Sequence, residues 1–142
     1  MKRFSAGAAA VLCLAGLPAH GGNVIGFFQS RPSSASDGGE RYVRLHVMDA
    51  GSDEKNQKLG ASVEVGLPGR CSARVAGFGQ FSGGTLVITP YQREMYDKEC
   101  RITASFNAEA TEVRLQAGQA CVLFQEPACR WGGDVAFPVE RP

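Results

Sequence analysis

Histidine is scarce in this chain, and the motifs that nucleophilic catalysis requires are missing. Only two histidines occur among 142 residues, His20 and His46, and there is no Gly-x-Ser-x-Gly segment. Ser-His-Asp and Cys-His chemistry needs a histidine that an acidic residue holds beside a nucleophile. His46 occupies a polar position of an alternating segment, where a surface residue is expected. We therefore predict that the protein is not an enzyme.

Metal and cofactor motifs are missing as well, and the one group of carboxylates that could do chemistry lies among basic residues. The chain has no Cys-x-x-Cys pair and no calcium-loop or phosphate-loop spacing, so neither a metal nor a cofactor is expected. Glu94, Asp97 and Glu99 could serve glycoside hydrolysis, which uses paired carboxylates. Because basic residues alternate with them, a solvated loop is the expected structure, and a hydrolase using Glu94 and Glu99 is kept as an alternative.

Neither sign of charge dominates. The chain has 15 lysines and arginines and 14 aspartates and glutamates, and two of the basic residues fall in the first 21 positions. The remaining chain is therefore close to neutral. This balance argues against nucleic acid or an anionic membrane surface as a partner.

The first 21 residues have the order of features found in a secretory signal peptide. Lys2 and Arg3 precede an apolar run over residues 4–17, and small residues follow at Ala19 and Gly21. Cleavage is expected between Ala19 and Gly21, with a mature start at Gly22 favoured. The run is shorter than the roughly 20 residues that a spanning helix needs, and no later run is apolar enough to span. The sequence predicts a soluble, exported protein, periplasmic or secreted.

Apolar residues recur with period 2 through most of the remaining chain, which is typical of half-buried strands. The clearest cases are the alternating segments 43–47 and 100–106. Residues 120–124 and 134–139 are also predicted to be strands, and Gly77-Phe78-Gly79 is expected to form a bend or bulge.

These patterns predict a single all-β domain, an antiparallel barrel or sandwich of about seven to nine short strands with two disulfides. We divide the chain into a signal peptide at 1–21, an N-terminal strand and flexible linker at 22–40, and a β-barrel-like domain at 41–142.

Cysteine usage supports export. Cys13 lies in the predicted signal, which leaves Cys71, Cys100, Cys121 and Cys129, an even number typical of a disulfide framework. Four cysteines allow three pairings. We favour Cys71–Cys100, between two apolar strand faces, and Cys121–Cys129, across what resembles a hairpin tip.

Two places carry residue types that are enriched at protein interfaces. The segment 90–99 contains Tyr91, Met95 and Tyr96 among charges, and Trp131 follows the last cysteine closely. These four residues form the candidate binding surface. The alternative is a purely structural role for these residues, with a loop packed by its own tyrosines and a tryptophan that caps one end of the barrel.

The C-terminal half, residues 70–140, resembles small bacterial periplasmic β-barrel proteins, some of them lysozyme inhibitors. Four segments carry the resemblance: Val75-Ala-Gly-Phe-Gly after Cys71, Gly83-Gly-Thr-Leu-Val-Ile, Cys100-Arg-Ile-Thr-Ala-Ser-Phe, and Cys129-Arg-Trp-Gly-Gly after Cys121. The resemblance implies a barrel fold and binding of a protein or envelope component, with lysozyme as the first partner to test. The Ser-Gly-Ala-x-Tyr-like loop of C-type lysozyme inhibitors has no match, so no inhibitory residue is carried over. A structural envelope protein without a specific ligand is the alternative function.

Overall fold

Nine antiparallel strands form a single sheet that closes into a barrel. The computed structural model describes residues 24–34, 39–51, 57–130 and 132–140, and the predicted signal peptide lies outside them. The strands within these ranges are β1 (Gly26–Ser30), β2 (Ser33–Ser34), β3 (Glu40–Asp49), β4 (Lys58–Leu67), β5 (Cys71–Ser82), β6 (Thr85–Pro90), β7 (Ile102–Phe106), β8 (Val113–Ala117) and β9 (Asp134–Val139). The sheet order is β1-β9-β8-β7-β6-β5-β4-β3-β2, and β1 also pairs with β3. That last pairing closes an eight-stranded barrel, with β2 as a short addition on β3. The predicted all-β class is confirmed, as a barrel.

The barrel interior follows from the alternation of the sequence. Leu45, Val63 and Val75 stand directly opposite one another on β3, β4 and β5, and each is fully buried. Side chains on alternate positions of a strand point to the same face, so this register brings the apolar faces together inside the barrel. The polar residues between them are thereby placed on the outer surface.

Two glycines of β5 allow the backbone of β6 to approach closely. A Cβ atom added at Gly77 would lie 2.0 Å from the Thr89 carbonyl oxygen, and one at Gly79 would lie 2.3 Å from the Val87 carbonyl oxygen. The backbone of β6 therefore occupies the space that side chains at these positions would fill. The register of β5 on both neighbours is continuous, so the structure has a close backbone approach here in place of the expected bulge. Phe78, between the two glycines, is left on the outer surface.

The chain crosses one end of the barrel between β8 and β9. This crossing segment, residues 118–130, contains two 3₁₀ helices, Gln119–Phe124 and Pro127–Cys129. The strand predicted over 120–124 is therefore wrong. Its apolar residues do not alternate between two faces: Cys121 is buried, whereas Val122 and Leu123 are both exposed.

Both disulfides attach the crossing segment to the barrel. Cys100 bonds to Cys121, and Cys71 bonds to Cys129. The predicted pairing, Cys71–Cys100 with Cys121–Cys129, is wrong because residues 121 and 129 do not face each other across a hairpin. The two 3₁₀ helices contact different parts of the molecule, the second packing on β4 and β5. The framework itself is confirmed, and two disulfides indicate an oxidising compartment outside the cytoplasm.

An ion pair fixes the far end of the crossing segment. Arg41, at the start of β3, donates from both terminal nitrogens to the carboxylate of Asp134, and also to the Arg130 carbonyl oxygen. The Gly132 amide donates to the same carboxylate over 3.1 Å. A bidentate arginine–carboxylate pair of this kind holds the two side chains in one relative orientation and also contributes to stability.

The polar segment after β6 contains the short helix α1 (Arg93–Asp97). No helix in the described parts of the chain is long and apolar enough to cross a membrane.

Candidate functional site

Three exposed aromatic residues lie together at the end of β6 and form what we call the aromatic patch: Phe78, Tyr91 and Tyr96. Phe78 and Tyr91 pack edge to face, with ring centroids 4.8 Å apart. The three side chains line one surface cavity of about 370 Å³, together with Pro90 and Arg93. Their exposed fractions are 39%, 56% and 54%, so three large rings remain accessible to a partner.

The position of each ring follows from the local backbone. The close approach of β6 leaves Phe78 on the outer face, as described above. The Tyr91 amide donates to the Ala76 carbonyl oxygen over 2.9 Å, which extends the pairing of β5 and β6 one step beyond Pro90. Tyr96 follows in α1, whose Tyr96 amide donates to the Gln92 carbonyl oxygen over 2.9 Å. Strand pairing and a helical turn therefore hold the patch in place.

Two cations lie against the patch. The Lys58 ammonium is 4.5 Å from the Phe78 ring centroid, and the Arg101 guanidinium carbon is 5.3 Å from the Tyr96 ring centroid. Contacts of this type restrict the ring and the cation together. A partner that covers the patch would therefore meet aromatic faces bordered by positive charge.

Two further cavities meet the patch at Phe78. The larger, about 730 Å³, runs along the outer face of β5 and β6 and is lined by Gln80 and Val87 among others. The smaller, about 320 Å³, lies towards Met48 and also reaches Tyr91. Phe78 lines all three cavities, which makes it the centre of this surface.

The structure describes three of the four residues of the predicted binding surface and places them differently from one another. Tyr91 and Tyr96 are brought together on the cavity described above. Met95 is half-buried and packs against the hydrophobic core, so it anchors α1 and is not part of the exposed surface. Trp131 lies outside the described residues. Phe78 was not among the predicted residues, although the flanking glycines were a signal for it.

The carboxylates of the hydrolase alternative are not gathered around a cavity with the tyrosines. Glu94 and Glu99 are exposed, and Asp97 pairs with Arg93 over 3.5 Å at the surface. The cavity beside α1 is lined by Arg93 and Tyr96. Among the residues that the structure describes, no group of three histidine, cysteine or acidic side chains could hold a metal ion.

A second outer surface carries polar and aromatic side chains across β1, β3 and β4. The Tyr42 hydroxyl donates to Glu64 Oε1 over 2.9 Å, and this bond to a carboxylate, together with burial, raises the pKa of Tyr42. On a neighbouring row, His46 is half-buried and its ring stacks on that of Phe27, with centroids 3.9 Å apart and planes 10° from parallel. His46 thus lies on the outer face, as its polar position in the sequence indicated, but as one half of a stacked pair.

Comparison with known proteins gives no relative for this chain: no family model matches it, and no curated protein and no solved structure matches it significantly.

Proposed function

We propose that this protein is an exported, non-enzymatic binding protein of the bacterial envelope, and that the aromatic patch is its contact surface. The observation that carries the proposal is the gathering of Phe78, Tyr91 and Tyr96 on a single cavity with more than a third of each side chain exposed. Clustered exposed apolar groups mark interaction sites more often than singly scattered ones do.

The chemistry of the patch favours a protein as the partner. Tyrosine and phenylalanine supply large contact areas from side chains with few rotatable bonds, and they are enriched in the centres of protein interfaces. The rings are already held by strand pairing, by edge-to-face packing and by neighbouring cations, so little conformational entropy would be lost on binding. Lysozyme is the first partner to test because of the resemblance carried by residues 70–140, with a structural envelope role as the alternative.

A direct binding measurement tests the proposal. The mature protein, immobilised with its disulfides intact, is exposed to C-type lysozyme and then to envelope extract, and bound proteins are identified. Saturable binding should weaken by at least about tenfold in Phe78→Ser and Tyr91→Ser variants, as expected for hot-spot residues.

Ile25→Ser is the matched control. Ile25 is 41% exposed, close to the 39% of Phe78, and it precedes β1 on a different part of the barrel. Its variant should bind as the unaltered protein does. Absence of any saturable partner, or equal losses in the Ile25 and Phe78 variants, would contradict the proposal and favour the structural role.

A further inference from the structure

Four polar side chains form a row across the outer face of four adjacent strands. Gln29 on β1 is paired with Arg44 on β3, Arg44 with Glu64 on β4, and Glu64 with Arg74 on β5. Directly paired residues on one face of an antiparallel sheet have Cβ atoms about 5 Å apart. One carboxylate therefore stands between two guanidinium groups along the row.

The two arginines of the row are not in direct contact with that carboxylate. Glu64 forms no ion pair with either Arg44 or Arg74 within the described parts of the chain; its Oε1 accepts the Tyr42 hydroxyl instead. Arg44 donates from Nε to Gln29 Oε1 over 3.1 Å, and its guanidinium lies 4.5 Å from the centroid of the Tyr42 ring. These contacts orient Arg44 and leave its terminal nitrogens without a described acceptor.

Arg74, at the end of the row, is exposed and has no hydrogen-bond or ion-pair partner among the described residues. Two guanidinium groups on one surface with unused donors are suited to a carboxylate, which accepts paired N–H bonds in one plane.

An aromatic platform lies beside the charged row. The stacked rings of Phe27 and His46 occupy the adjacent cross-strand pair, and Ser62 stands opposite His46 on β4. Together with Arg44, Glu64 and Arg74 they line a groove of about 360 Å³, which is at the lower end of the size range of ligand sites.

The mixture of groups selects the kind of ligand. A simple anion would use the arginines only, and an aromatic acid would offer no hydroxyl groups to Ser62 and to the free oxygen of Glu64. A pyranose ring presents an apolar face to an aromatic platform and hydroxyl groups to the polar side chains at its edge. We propose that this groove, the acidic-sugar groove, binds a saccharide that carries a carboxylate, as a free sugar or as a unit of a glycan.

Titration of the ¹⁵N-labelled mature protein with D-glucuronate tests the proposal. Saturable shifts are expected at the amides of Gln29, Arg44, His46, Ser62 and Arg74. D-Glucose, which lacks the carboxylate, should bind at least about tenfold more weakly, the equivalent of one charge-assisted hydrogen bond. Trigalacturonate distinguishes the sources: tighter binding than galacturonate indicates a glycan unit, and equal binding indicates a free sugar.

Variants and a simple anion provide the controls. Arg44→Gln and Arg74→Gln should each lose about tenfold in affinity, whereas Arg114→Gln, an exposed arginine on β8, should not. Absence of shifts in the groove, equal binding of glucose and glucuronate, or equal binding of acetate and glucuronate would each overturn the proposal. None of Phe78, Tyr91 and Tyr96 lines this groove, so the outcome is independent of the protein-binding test.

Discussion

Phe78 and Tyr91 meet edge to face on the outside of the barrel, with their ring planes at 89°. An aromatic pair in this geometry contributes about 0.5–1.5 kcal/mol beyond the area it buries. The contact joins Phe78 of β5 to the residue that follows β6, so it connects the two parts of the patch.

A double-mutant cycle over Phe78→Ala and Tyr91→Ala should therefore give a coupling free energy of about 1 kcal/mol in urea unfolding. The pair Phe78→Ala and Val139→Ala is the control, because the two side chains lie on strands that are not neighbours, and their effects should add. A Phe78–Tyr91 coupling as small as that of the control pair would show that the edge-to-face contact contributes no stability.

Substitution of Gly77 should disrupt the close pairing of β5 with β6. Gly77→Ala would place a methyl group 2.0 Å from the Thr89 carbonyl oxygen, and forcing the strands apart should cost about 2 kcal/mol or more in the free energy of unfolding. Gly132→Ala, where no heavy atom lies within 4 Å of the added Cβ, should change stability by less than about 0.5 kcal/mol. Similar unfolding midpoints for the two variants would mean that the close approach of β6 is not required.

The disulfide pairing can be determined directly by mass spectrometry of disulfide-linked peptides. Digestion of the unreduced protein with trypsin and chymotrypsin cuts between Cys121 and Cys129, at Leu123 and Phe124. Mass spectrometry should then find the peptide of Cys71 linked to that of Cys129, and the peptide of Cys100 linked to that of Cys121. A Cys71 peptide linked to a Cys100 peptide would contradict the structure.

Removing each disulfide should reduce stability, and somewhat more for the bond that closes the longer loop. With sequence separations of 58 and 21 residues, the chain-entropy relation gives about 4 kcal/mol for Cys71–Cys129 and about 3 kcal/mol for Cys100–Cys121. Paired serine variants, Cys71→Ser with Cys129→Ser and Cys100→Ser with Cys121→Ser, measure each loss by chemical denaturation. Greater stability of either variant than of the oxidised protein would contradict this expectation.

The hydrogen bond from Tyr42 to Glu64 should make stability fall at alkaline pH. The folded protein holds the phenolic proton above its ordinary pKa of 10.0, so the stabilisation is complete below that pH and is lost as the pH rises through the raised value. Absorbance titration should show one tyrosine whose pKa decreases in Glu64→Ala and not in Glu109→Ala, a change at an exposed loop residue. An unchanged titration curve in Glu64→Ala would remove Glu64 as the cause.

The Arg41–Asp134 pair should contribute more than an ordinary surface ion pair. Its side chains are 20% and 12% exposed, and the pair is bidentate, so Arg41→Ala should lower the free energy of unfolding by about 1–3 kcal/mol. Arg41→Lys should recover part of the loss, because lysine lacks the planar pair of donors. A loss no greater than that of Arg114→Ala, at an exposed residue, would show that the Arg41–Asp134 pair contributes no measurable stability.

Alternation of apolar residues was sufficient to predict most of the barrel. It indicated strands at 43–47 and 100–106, which correspond to β3 (Glu40–Asp49) and β7 (Ile102–Phe106), because each has one face in the core and one in solvent. It gave a wrong result at 120–124, where a short apolar run without alternation is ambiguous. That segment takes its form from the barrel end and from disulfides to distant residues, which local pattern does not encode.

The candidate site was predictable only in part for a related reason. Tyr91 and Tyr96 are near in sequence, and their composition was a sufficient signal. Phe78 joins them through the pairing of β5 with β6, a long-range register that no local window contains. Met95 is a residue type that is common at interfaces, but it lies on the core side of α1. A helix of five residues is too short for the sequence pattern to show which of its faces is buried.

The Cys71–Cys129 bond also determines how the folded chain responds to tension. A force applied at the two ends passes through the disulfide, so the intervening chain, 58 residues in separation, carries no load. That chain includes β5 to β8, α1 and the 3₁₀ helices. At about 3.5 Å per extended residue, roughly 200 Å of contour length is withheld from stretching until the bond is reduced. A processive protease or unfolding motor that pulls from the N-terminal end would unfold β1 to β4 and then stop at the loop that this disulfide closes.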